Sequence, residues 1–230
     1  MNTKERNSQQ IKRMTALAVF AAVAYAVHFI HIPVSFLNLD FKDVITTVCG
    51  MYFGPVSGVI VAVLVPILEY PTSSTGPYGL IMNILSSVSF VGVASLVYRF
   101  KKTLSGAIAA LCAAVLSMVA VMMVANLLIT PFYMGVSREA VVSYIPTLLL
   151  PFNAIKAVLN AALTLCLYKP LTNVLKKTGF GKQSVSVELD ESAQKKAKLR
   201  SIIVWIVGGS IAIVSLCVIF FVLGGSKAFN

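Results

Sequence analysis

VITTVCGMYFGPVSGVIVAVLVPIL, residues 44–68, crosses a membrane either once or twice. As one helix it is a single long crossing. Broken at Gly54-Pro55 it forms two shorter crossings, tilted or partly buried, because proline cannot continue the hydrogen-bond ladder of the helix before it. Charge decides between them. Fifteen of the nineteen Lys and Arg lie in three stretches, 4–13, 99–102 and 169–200. Two crossings place all three stretches on one side, as the positive-inside rule requires, whereas one crossing separates 4–13 from 99–102. The break at Gly54 is the better reading.

A membrane setting follows from composition. The chain has 230 residues, 58% hydrophobic and only 12% charged, more apolar surface than a soluble domain of this size can hide. Apolar stretches recur at about the 20 residues needed to span hydrocarbon as a helix. The remaining core spans are 14–31, 80–98, 105–129 and 146–168, with external loops at 69–79 and 131–141. The first span also mimics a signal peptide, but its apolar run continues past Ala24-Tyr25-Ala26, which favours a retained helix. The expectation is an all-α polytopic membrane protein: a six-helix core over 1–171 with both ends cytoplasmic, a polar linker over 172–199, and an extra transmembrane helix and tail over 200–230. That last span, 201–223, puts the C-terminus outside.

The net charge of +11 needs no nucleic acid, since its clustering suits a cytoplasmic face and an anionic lipid leaflet. The four cysteines are far apart in apolar segments and form no C-x-x-C pair. His28 and His31 have no nearby cysteine, so no metal site is expected. The chain has no G-x-x-x-x-G-K-[ST] phosphate loop, no H-E-x-x-H and no G-x-S-x-G. ATP hydrolysis by that loop is excluded, and a membrane enzyme has little support.

Chemistry concentrates in LPFNAIKAVLN, residues 150–160. A lysine near the bilayer interior costs about 2.5–3.5 kcal/mol on insertion scales, so Lys156 needs a compensating partner. Asn153, Lys156, Asn160 and Thr164 share one helix face and should point into the bundle. The alternative to a ligand site is a structural network, with Lys156 held by helix-end carbonyls or Glu69. Asn126, near the outer end of the fifth span, brings an amide able to read a flat heterocycle. FLNLDFKD, residues 36–43, alternates apolar and polar residues and can fold over a pocket. Asp40 and Asp43 in it are candidate helix caps, Asp43 the stronger. Ala18, Ala22 and Ala26 recur every four residues and form a smooth face for close helix approach.

At these residues the chain resembles a known family. LDFKDVITTVCGMYFGPVSGVIVAVL (39–64) resembles the first-loop and second-helix region of the substrate-binding S components of energy-coupling factor (ECF) vitamin transporters. ANLLITPFYMG (125–135) and the P-F-N-x-x-K of LLPFNAIKAVLNAALTLCLYKPL (149–171) are similar to riboflavin-binding members. The resemblance covers about residues 10–171. It implies capture of riboflavin from outside a prokaryotic plasma membrane, then docking on a transmembrane coupling subunit that carries two ATPase subunits. Flavin contacts carry over to Asn126, Asn153 and Lys156, a covering loop to Leu39, Asp40 and Phe41, and a helix-four opening to Gly79 and Asn83. The docking face carries over to Ala18, Ala22 and Ala26. Flavin mononucleotide is a second candidate ligand; an S component for another vitamin and a self-sufficient secondary carrier are the rival readings.

Overall fold

The computed structural model describes residues 3–35, 37–73 and 75–177. The expected seventh span at 201–223, and the linker from residue 178 onward, lie outside the described residues. The elements run α1 (Thr3–His28), β1 (His31–Val34), β2 (Leu37–Asp40), α2 (Lys42–Phe53), α3 (Pro55–Glu69), α4 (Gly76–Phe100), α5 (Leu104–Met134), α6 (Arg138–Tyr144) and α7 (Leu150–Lys177). Among the described residues, five helical segments are long and apolar enough to cross a membrane: Arg6–His28, Pro55–Thr72, Gly76–Phe100, Leu104–Met134 and Arg138–Pro170. With α2 they make a six-helix bundle.

The helix does break at Gly54. Gly54 has a φ of 99°, a conformation open to glycine and strained for residues with a Cβ, and Pro55 starts α3 at the position where a missing N–H costs nothing. At 12 residues α2 extends only about 18 Å, so it cannot cross alone. It is instead the bundle's buried centre, with nine of those residues buried. Glycines permit this crowding. A Cβ on Gly58 would sit 2.6 Å from the Gly50 Cα, and one on Gly50 would sit 2.1 Å from Ser95 Oγ of α4. Arg13 of α1 fastens the same end, donating to the Phe53 carbonyl at 3.1 Å and to Ser57 Oγ at 2.5 Å.

Elsewhere the structure departs from expectation in four places. The helical bundle carries a small non-helical element that was not expected: residues after α1 form an antiparallel hairpin pairing His31 with Asp40 and Val34 with Leu37. The apolar–polar alternation there is the period of a strand. Consequently the first helix ends at His28, short of 31, although it begins ahead of the expected residue 14. Secondly, α5 runs through Pro131 to Met134 and ends at Gly135 in the left-handed region, leaving only a short turn where a loop over 131–141 was expected. Asn126 and Thr130 hydrogen-bond along the helix just before Pro131, a residue that membrane helices tolerate when packed among neighbouring helices. Third, α6 and a π-helical turn at Ile145–Leu149 lead directly into α7. Finally, α7 continues to Lys177, six residues beyond the expected end of the core at 171.

Two apolar clusters hold the bundle. One joins α4, α5 and α7 around Phe90, Ala94, Ala110, Met118 and Ala157. The other seats Phe20, Ala21 and Ala24 of α1 on Val48, Val61 and Val65 of α2 and α3.

Candidate functional site

At the hairpin end of the bundle lies a cavity of about 230 Å³, bounded by the end of α1, the hairpin, the α3–α4 connection and the facing parts of α4, α5 and α7. Asp40, Gly79, Asn83, Asn126, Asn153 and Lys156 all line it. So six of the eight candidate ligand residues, from four separate stretches of chain, come together at one site. Leu39 and Phe41 do not. Leu39 is fully buried in an apolar cluster with Val34, Phe152 and Leu159, and Phe41 packs against it. These two anchor the hairpin on α7, and the neighbouring Asp40 is the residue delivered to the cavity.

The compensating partner of Lys156 is Asp40: Nζ to Oδ2 is 3.2 Å, with both residues buried. Neither helix-end carbonyls nor Glu69 take that role. Glu69 instead contacts Lys42, whose ammonium also lies 3.7 Å from Asp40 Oδ2. Asn83 Nδ2 donates to Glu69 Oε2 at 3.0 Å, and His28 Nδ1 lies 3.3 Å from Glu69 Oε1. The result is one continuous chain of polar groups, His28–Glu69–Lys42–Asp40–Lys156, linking α1, α3, α2, the hairpin and α7. Burial pushes the Asp40 carboxyl up, but the Lys156 and Lys42 charges outweigh it and hold the group below the usual carboxylate range.

Neither aspartate caps α2. Phe41 occupies the cap position and no side chain bonds to the helix start. Asp43 is buried in the first turn, where its Oδ1 accepts from Ser87 Oγ of α4 at 2.6 Å. The first turn of α2 is buried against its neighbours, and there this acid serves α4 rather than its own helix end.

The asparagines are held by their own helices. Asn126 Nδ2 donates to the Met122 carbonyl and Asn153 Nδ2 to the Leu149 carbonyl, each at 2.7 Å. Thr130 Oγ1 also donates to Asn126 Oδ1 at 2.9 Å. Each amide nitrogen has a second N–H to offer a ligand. The whole stripe Asn153, Lys156, Asn160 and Thr164 is buried, as its spacing predicts. Asn160 and Thr164 lie beyond the cavity lining. Gly79 has a steric reason to be glycine: a Cβ would sit 1.8 Å from Thr75 Oγ1.

Several lining residues escaped the sequence reading. His28 and His31 stack with ring centroids 6.0 Å apart, and Tyr70, Tyr78 and Tyr133 line the cavity as partly exposed rings. Lys42, just behind the wall, had a usable signal. The two-crossing reading puts residues 42 and 69 at the same end, so an opposite-charge pair was open to inference. Among the described residues, no three His, Cys, Asp or Glu side chains are placed to hold a metal ion. Ala18, Ala22 and Ala26 are exposed on α1, on the side away from buried Phe20, Ala21 and Ala24, and take no part in the cavity.

Comparison with known proteins agrees with this picture. The family described as "ECF transporter, substrate-specific component" matches residues 12–168. "Riboflavin transporter RibU" of Staphylococcus aureus (strain TCH60) is 32% identical over 188 residues, covering 77% of this chain and 100% of that protein. "Riboflavin transporter FmnP" of Bacillus subtilis (strain 168) is 23% identical over 163 residues, covering 65% of this chain and 86% of the other. A solved S component of a bacterial ECF transporter superposes with a TM-score of 0.62 at 32% identity, covering 73% of this chain and 99% of that one.

Proposed function

The chain belongs to the substrate-specific components of ECF transporters, and from that premise we propose that it is the riboflavin-binding subunit of an ATP-driven vitamin importer. It is a multi-pass membrane protein. In the proposed orientation the N-terminus faces the cytoplasm and the hairpin end faces outside, as the basic stretches 4–13 and 99–102 favour. The observation that carries the ligand assignment is the meeting of Asn126, Asn153 and Lys156 in one cavity at the hairpin end. Buried amides with an N–H to spare suit the amide-like edge of a flavin ring. Aromatic side chains around the opening suit its flat faces.

Energy comes from partners. The sequence has no phosphate loop, so a transmembrane coupling subunit with two ATPase subunits supplies the work, docking on the exposed face of Ala18, Ala22 and Ala26. Uptake of labelled riboflavin into proteoliposomes tests this. With the coupling and ATPase subunits present, uptake is expected to require ATP, and without them none is expected. Uptake by the isolated chain, abolished by an uncoupler, would contradict the proposal and indicate a secondary carrier.

A further inference from the structure

We infer that Asp40 is a specificity-determining residue: by pairing with Lys156 it turns the cavity against phosphorylated flavins and toward the neutral vitamin. The inference rests on the riboflavin reading and adds a discrimination that reading leaves open. A buried lysine beside a ligand suggests, taken alone, a seat for a phosphate. The geometry points the other way. Lys156 is the sole Lys or Arg among the described residues lining the cavity, and its ammonium is 3.2 Å from Asp40 Oδ2. The lining also holds Glu69, so with His28 and His31 neutral its formal charge is −1. Lys42 offers no spare cation either, since it contacts Glu69 and lies 3.7 Å from Asp40.

Among the described residues the wall therefore offers neutral amide and hydroxyl donors but no unpaired cation. Among the described residues, Asp40 Oδ1 is buried and has no hydrogen-bond partner, so the carboxylate keeps an acceptor that would repel a phosphate oxygen. A phosphate monoester brings a charge of about −1.5 to −2 at pH 7 and three further acceptor oxygens. It would leave water for a site whose cation is already neutralised, where desolvation is not repaid by a new ion pair. A flavin bearing only hydroxyls meets no such barrier.

Two experiments test the role of charge. The first uses the native protein and compares the affinities of riboflavin, riboflavin 5′-phosphate and an uncharged 5′-ester of similar bulk. The phosphate is expected to bind at least about tenfold more weakly than riboflavin, and the ester within about threefold of it. An ester weakened as much as the phosphate would mean that size excludes it and would overturn the inference, as would a phosphate that binds as tightly as riboflavin. The second uses Asp40→Asn, which keeps the shape and removes the charge. The riboflavin-to-phosphate affinity ratio is expected to fall about tenfold or more. An unchanged ratio in a variant that still binds riboflavin would overturn the role of Asp40. Should that variant fail to fold, the ester comparison decides. Native protein that binds none of the three flavins would instead sink the riboflavin reading itself, and this inference with it.

Discussion

The two ends of the bundle are built on opposite principles. At the hairpin end, Asp40, Lys42, Glu69 and Lys156 are all buried and in contact with one another. At the other end the helices meet through Gly50, Gly58 and Ser95, with the Arg13 charge tied into the contact beside Gly54. Glycines and alanines give close approach and dispersion at no electrostatic cost. Buried ion pairs rarely outperform apolar residues of the same volume, so stability alone does not explain them. Their concentration around the cavity makes that end a site and leaves the glycine end as scaffold.

The sharpest way to break the contrast is to strand a charge. Lys42→Met leaves Glu69 buried without its cation and is expected to lower stability by about 3–5 kcal/mol in thermal or denaturant unfolding. Adding Glu69→Met to the same chain should recover most of that loss, because the pair is then replaced by apolar volume. A single variant as stable as the native protein would show that the pair does not hold the hairpin end together.

Next comes Lys156→Ala, expected to weaken riboflavin binding about 10- to 100-fold, the range for removing a charged hydrogen-bond donor. Asp40 keeps Lys42 at 3.7 Å, so the protein should stay folded by circular dichroism. Unchanged affinity would remove Lys156 from the ligand contacts. Gly58→Ala probes the scaffold. Its new methyl meets the Gly50 backbone, and overpacking of this kind costs about 1–3 kcal/mol. Flavin affinity of the folded fraction should stay within about twofold of native, well under 1 kcal/mol. Loss of binding comparable to that of Lys156→Ala would dissolve the distinction between the two ends. Smallest in its effect on the isolated chain is Ala22→Trp, which changes an exposed residue of α1. Binding and stability should match native values, while ATP-driven uptake with the partner subunits should stop; normal uptake would remove this face from docking.

Much of the scaffold was legible because its signals are local. Gly54-Pro55 marks the break, and a 3.6-residue period buries Asn153, Lys156, Asn160 and Thr164 together. The site was legible where a motif named its residues, and less so where geometry depends on distant partners. Nothing near position 156 announces Asp40, since 116 residues separate the pair. The hairpin was missed because four-residue strands carry too few alternations to stand out between apolar helices. Leu39, Asp40 and Phe41 were carried over together from the resemblance as a covering loop, which does not say which of the three face the cavity. A strand sends alternate residues to opposite faces, and Leu39 went to α7 while Asp40 went to the cavity. The extension of α5 past residue 129 was hidden by Pro131, which usually ends a helix in water and is tolerated in membrane helices packed among neighbours.

The most direct test of the central claim is an absorption spectrum of the protein purified in detergent, followed by titration monitored through riboflavin fluorescence. A co-purified flavin band, or quenching that saturates near one flavin per chain, is the predicted result. A folded sample with no flavin band and no quenching would contradict it, leaving a membrane bundle whose buried charges serve some other ligand.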